Sequence, residues 1–177
     1  MAHIVLGVCG SIAAYKAVDL TSKLVQAGHQ VDVLLTPMAE RFVRPLSFAA
    51  LTHRRVLTSE TWTEGDAPAA HLHATEHAQA FVVAPATADV IGKMANGIAD
   101  DLVSTTWLGA PCPTLVAPAM NQRMWRHPRV VANVARLVAD GAQIVAPGTG
   151  YLAEGDVGPG RMAEPAEILA AIAARLR

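Results

Sequence analysis

Short apolar runs alternate with longer stretches of helical spacing along the whole chain. The runs are HIVLGV, QVDVLLT, AFVVAPA, TLVAPA and AQIVAP; each is too short for a helix and ends at small or polar residues, so each predicts a buried strand. Between them apolar residues recur at helical spacing from Ile12 to Ala27, Pro45 to Leu51, Asp89 to Leu108 in two pieces, Pro128 to Asp140 and Pro165 to Leu176. Strands that are apolar on both faces and alternate with helices predict an α/β fold, a parallel sheet covered by helices on each side. In such sheets ligands gather at the carboxyl ends of the strands.

Two segments interrupt the alternation. Residues 53–71 mix Thr, Ser, Glu, Gly and Pro around a lone Trp62 and predict a long loop with room for one short strand. GTGYLAEGDVGPGRM, residues 148–162, is rich in Gly, its hydrophobics follow no period, and it reads as a loop of the kind that covers a site.

Composition narrows the picture. The 177 residues predict one domain spanning 1–177. Hydrophobic residues make up 52% and charged ones 16%, against roughly 25% charged in an ordinary domain, so burial between subunits is an outlet for the surplus. A net charge of -1 with scattered Lys and Arg argues against a nucleic-acid partner. The N-terminus has no basic leader or cleavage pattern and no run reaches the ~18 residues of a membrane span, so no membrane partner and a cytoplasmic location are expected. Cys9 and Cys112 form neither a disulfide framework nor a metal cluster.

The strand ends carry the candidate chemistry. In GVCGSIAAYK, Gly7 and Gly10 allow a tight turn and Ser11 stands where a helix begins, which either caps that helix or points amides and the helix dipole at an anion. No G-x-G-x-x-G or P-loop lysine follows, which disfavours dinucleotides and nucleoside triphosphates. Lys16, a full turn inside the helix, reads as a surface residue. Thr36 ends the second strand, and Ala86, Thr87, Ala88 and Asp89 end the third, where small hydroxyl-bearing residues let a flat ring or a polyol chain approach the backbone. The fourth strand runs into APAMNQRMW, where Asn121 offers a fork of donors and an acceptor, and Met120, Met124 and Trp125 have the character of packing residues. His71, His73 and His77 invite a metal reading, but no carboxylate or Cys completes a ligand set, and no metal is expected. A single His before a buried strand suits proton transfer or the holding of a carboxylate.

Taken together, GSIAAYK, His71, APATAD, KMANGIADDL, PAMNQRMW and GDVGPGRM resemble the phosphopantothenoylcysteine decarboxylases, a branch of the homo-oligomeric flavin-containing cysteine decarboxylases. The resemblance runs from Ile4 to about Ile168 and implies a three-layer, Rossmann-like fold of the flavodoxin kind. It implies FMN held by Gly10, Ser11 and Ile12 around its phosphate, by Thr36, by Ala86, Thr87, Ala88 and Asp89, and by Ala119. It implies a homotrimer or homododecamer, with the flavin site shared between neighbours. It implies His71 as the catalytic histidine, Asn121 as the grip on the substrate carboxylate, and Met120 and Met124 beside the substrate.

The implied reaction converts 4'-phosphopantothenoylcysteine to 4'-phosphopantetheine in coenzyme A biosynthesis. The thiol is oxidised to a thioaldehyde, carbon dioxide leaves, and the ene-thiolate is reduced again with the help of a proton donor. Members of this branch carry a cysteine in the Gly-rich loop as that donor; here Glu154 stands in its place. A desolvated carboxyl can donate near neutrality, which would complete the reaction. Without such a donor the chain would be an oxidative decarboxylase releasing an ene-thiol from a small thiol or a peptide's C-terminal cysteine, and a third reading is a non-catalytic flavin-binding regulatory subunit. Because the resemblance is to the decarboxylase part alone, a separate phosphopantothenate-cysteine ligase is the expected pathway partner.

Overall fold

The computed structural model describes residues 1–61, 70–151, 155 and 157–176, and for 70–72 the backbone alone. Glu154 and Leu152 therefore lie outside the described residues, as does the side chain of His71. Five strands form a parallel sheet: β1 (His3–Val8), β2 (Gln30–Leu35), β3 (Ala80–Ala86), β4 (Thr114–Pro118) and β5 (Gln143–Ile144), in the spatial order β2-β1-β3-β4-β5. The chain moves outward from β1 to β2, then crosses back to place β3 on the other side of β1. This reversal leaves a crevice at the carboxyl ends of β1 and β3.

Alternation of side chains across each strand builds two cores. Ile4, Leu6 and Val8 of β1 join Val31, Val33 and Leu35 of β2 and Val82 of β3 on one face, beneath α1 (Ala14–Gln26), α2 (Pro45–Thr52) and α8 (Pro165–Arg175). Val5, Leu34, Phe81, Val83 and Val116 point the other way, toward α4 (Ala88–Asn96), α5 (Leu102–Gly109) and α7 (Pro128–Ala139). In α1 the residues at 14, 17, 20, 21 and 24 face the sheet, the stripe of an amphipathic helix. The α/β class, the parallel sheet and its two helical layers follow the apolar pattern of the chain. Among the described residues, no helix is long and apolar enough to cross a membrane.

Five features differ from the sequence expectation. The Gly-rich segment is not an unstructured loop: β6 (Gly148–Tyr151) and β7 (Val157–Arg161) pair antiparallel as a separate two-stranded ribbon. The histidine-rich stretch begins as a short helix, α3 (Ala70–Thr75). β5 is two residues long, although Val145 still donates its amide to Val116 across 2.8 Å. Lys16 is not a surface residue; it is 6% exposed, because Glu164 and the Met162 carbonyl, far away in the sequence, close over it. The short strand expected within 53–71 is a single bridge between Leu57 and Leu34.

Candidate functional site

The carboxyl ends of the strands are stitched into one edge by backbone bonds. Cys9 donates to Pro85 (3.2 Å), Thr36 to Val8 (3.1 Å) and Ala119 to Ala86 (2.9 Å), so the residues after β1, β2, β3 and β4 lie side by side. A backbone bond joins the ribbon to this edge: Met120 donates its amide to Gly160 across 3.0 Å. Gly160 has φ +136, and a Cβ there would overlap the Met120 carbonyl oxygen, so only glycine permits the approach.

Between the start of α1, the segment after β4 and the ribbon lies a cavity of about 500 Å³. Of the expected site residues, Ser11, Ile12, Ala119, Met120 and Asn121 line it, together with Lys16, Tyr151 and Arg161. Gly10, Thr36, Ala86, Thr87, Ala88, Asp89 and Met124 do not line it. Gly10 is pressed against Met38, which a Cβ would overlap. Thr36 is buried and its Oγ1 accepts the Ala39 amide (3.2 Å), turning the chain after β2. Ala86 is fully buried, Thr87 caps α4 by accepting the Val90 amide (3.3 Å), and Asp89 is largely exposed beside Lys93. Met124 is exposed.

The two walls of the cavity present different chemistry. On the α1 side the Ser11 Oγ accepts the Ala13 amide (3.2 Å) and the Ser11 carbonyl accepts that of Ala14 (2.9 Å). Among the described residues, the amides of Ser11 and Ile12 have no acceptor, which leaves two N–H donors and a hydroxyl hydrogen for an anion at the head of a thirteen-residue helix. On the β4 side Asn121 caps α6 (Gln122–Trp125), its Oδ1 accepting the Arg123 amide across 2.7 Å. Its Oδ1 is thereby engaged as a helix cap, which fixes the orientation of the amide at the cavity wall.

Charges around the site are arranged in two networks. Lys16 Nζ reaches Glu164 Oε1 (2.9 Å), and Arg161 Nη2 reaches the same oxygen (2.9 Å). The Lys16 hydrogen bond, joined by the charges of Lys16 and Arg161, holds the Glu164 carboxyl below its usual range. Behind the strand ends, Lys93 is ringed by Asp89, Asp100 and Asp101; burial alone would lower its pKa, and the three carboxylates outweigh burial and raise it. Asp101 also caps α5 through the Val103 and Ser104 amides. Burial pushes the Cys9 thiol far up, with Asp101 adding to the effect, so this cysteine is not a thiolate at the strand end.

His73 is exposed and within 3.4 Å of Glu76. Among the described residues, no three His, Cys, Asp or Glu side chains gather at ligating distance. Sequence reasoning passed over Arg161 and misplaced Lys16. Arg161 stands in a Gly-Pro-Gly stretch without hydrophobic alternation, so nothing local marked it as facing a site.

The chain matches the Flavoprotein family over residues 1–177. It is 49% identical over 167 residues to the coenzyme A biosynthesis bifunctional protein CoaBC of Bacillus subtilis, which covers 94% of this chain and 41% of that protein. The CoaBC protein of Mycobacterium bovis is 46% identical over 94% of this chain and 39% of its own length. The chain thus spans about two fifths of the curated relatives it matches. Among solved structures, a cysteine-to-serine mutant of a PPC decarboxylase complexed with pantothenoylaminoethenethiol superposes with a TM-score of 0.87 at 28% identity, covering 98% of this chain and 97% of that one. The FMN-dependent cysteine decarboxylase SpaF superposes with a TM-score of 0.86 at 32% identity, covering 99% and 95%. The chain belongs to the Flavoprotein family.

Proposed function

We propose that this chain is an FMN-dependent carboxy-lyase that converts 4'-phosphopantothenoylcysteine to 4'-phosphopantetheine in coenzyme A biosynthesis. The observation that carries the proposal is the cavity at the crevice of the sheet, which unites an anion cradle at Ser11 and Ile12 with the amide of Asn121 at the end of β4. The CoaBC relatives and the likeness to a PPC decarboxylase support the substrate.

The residues present fit a flavin mononucleotide. Two amides unpaired among the described residues and the Ser11 hydroxyl match a terminal phosphate, and the small side chain of Ala119 in the cavity wall suits the close approach of a flat ring. When bound, FMN would supply the two-electron redox chemistry that no side chain offers. Asn121, which lines the cavity, would hold the substrate carboxylate. His71, on α3, is the histidine that the resemblance implies would move the proton of the substrate thiol. Tyr151 and the ribbon would exclude water from the face opposite Ser11.

Glu154 separates two outcomes. If its carboxyl supplies the last proton, the product is the saturated thiol; if it does not, the ene-thiol leaves. Mass analysis of the product decides: loss of carbon dioxide alone supports complete turnover, and a further loss of two hydrogens supports the oxidative reading. A Glu154→Gln variant that still forms the saturated thiol would remove the carboxyl from its role. The same reading proposes a homotrimer or homododecamer in solution, which native mass spectrometry tests, a cytoplasmic location, and a phosphopantothenate-cysteine ligase activity that supplies the substrate.

A further inference from the structure

The cationic end of the cavity has no place in the reaction as described so far. Arg161 projects from β7 across the ribbon and lies over Gly150 of β6: a Cβ at Gly150 would stand 3.1 Å from both Cδ and Nη1 of the arginine. The absence of a side chain at that position thus leaves the room in which the guanidinium lies flat. One of its nitrogens is held by Glu164 Oε1, the oxygen that Lys16 also uses, so two cations share one carboxylate and the pair keeps an excess positive charge. Among the described residues lining the cavity there is no carboxylate to cancel it. Lys16 is buried and committed to Met162 and Glu164, whereas the Arg161 side chain is 44% exposed, at the mouth.

We infer that Arg161, braced by Glu164 and lying over Gly150, is the specificity residue that grips the phosphomonoester at the far end of the substrate. This inference rests on the proposed decarboxylation. The position within the site argues for the substrate's phosphate over two other anions. The reacting carboxylate belongs at Asn121, which caps α6 three residues beyond β4, on the β4 wall rather than on the ribbon that carries the arginine, as the proposed reaction has it. The cofactor phosphate belongs at the opposite wall, where the Ser11 and Ile12 amides are unpaired among the described residues. A dianion at the distal end of an extended chain stays near solvent, and a planar guanidinium with donors left over from Glu164 meets it bidentately, which a lysine does less well. A peptide ending in cysteine carries no such group, so Arg161 selects between the two substrate classes.

The test compares wild type, Arg161→Gln and Arg161→Lys as flavin-loaded proteins. Steady-state turnover is measured with 4'-phosphopantothenoylcysteine and with pantothenoylcysteine, binding of 4'-phosphopantetheine and of pantetheine is measured by calorimetry, and bound flavin is read by absorbance. In Arg161→Gln the kcat/KM ratio of phosphorylated to unphosphorylated substrate is expected to fall by about tenfold or more, chiefly through KM, with 4'-phosphopantetheine affinity falling in step and Arg161→Lys recovering part of the loss. An unchanged ratio and unchanged product binding overturn the inference. Loss of flavin from Arg161→Gln also overturns it, by assigning the arginine to the cofactor. Should wild type turn over neither substrate, the proposed reaction fails, and calorimetry with the two thiols still decides the phosphate contact.

Discussion

Replacing Gly160 by Ala tests how the ribbon is fastened to the site. At φ +136 an L side chain is strained, and such backbone costs on the order of 1–3 kcal/mol. The new Cβ would overlap the Met120 carbonyl and lie 3.4 Å from the Gln122 amide nitrogen, neither of which is a flexible chain end. The ribbon must therefore lift, and the 3.0 Å bond from Met120 to Gly160 is lost, a further ~1 kcal/mol. Together these give about 2–4 kcal/mol, or roughly 5–15 °C in Tm for a chain of this length if the ribbon unfolds with the rest. Calorimetry measures the shift, and hydrogen exchange shows where it originates, since the Met120 amide should lose protection while those of β1 and β3 keep theirs. A Gly160→Ala protein melting within about 1 °C of wild type, with Met120 still protected, would refute the argument.

Glu164→Gln removes the carboxylate between Lys16 and Arg161; since Glu164 is half exposed and Lys16 is buried, the expected cost is on the order of 1 kcal/mol at pH 7. Because the folded pKa of Glu164 lies below its unfolded value, that contribution is present above about pH 4.3 and fades as pH falls through the lowered folded value, so wild-type and variant melting curves should converge in acid. In the native protein Cys112, half buried, should react with iodoacetamide slowly, and Cys9, with its thiol pKa raised by full burial, only on unfolding; equal labelling of both, read by mass spectrometry, would contradict the burial described. Leu6→Ala in the centre of β1 should cost about 2–5 kcal/mol in denaturant titration, since its side chain is wholly enclosed between sheet and helices.

Local pattern carried the sheet and its helices because every central strand is apolar on both faces and every long helix repeats its apolar stripe. Asn121 was legible for a related reason: it is the first strongly polar side chain after an apolar run, and strand ends are where such sheets bind ligands. The ribbon was not legible. Its strands hold glycine, threonine, tyrosine and proline with mostly exposed side chains, and among the described residues it is held by pairing to itself, a bond from Met120 and packing on α6, none of which leaves a period-2 signal. Lys16 failed in a similar way, since the partners that allow its burial, Met162 and Glu164, lie 146 and 148 residues away. Arg161 became a candidate only when Gly150 and Glu164 were seen on either side of it.

The central claim is decarboxylation of a cysteine-derived acid with electrons passed to a bound flavin. The direct measurement is anaerobic rapid mixing of the flavin-loaded protein with 4'-phosphopantothenoylcysteine labelled at the cysteine carboxyl carbon, following flavin absorbance and captured carbon dioxide together. The account predicts transient bleaching of the flavin with stoichiometric release of labelled carbon dioxide, both abolished in Asn121→Ala. An oxidised, unchanging flavin and no labelled gas, with this substrate and with cysteine-ended peptides alike, would contradict it.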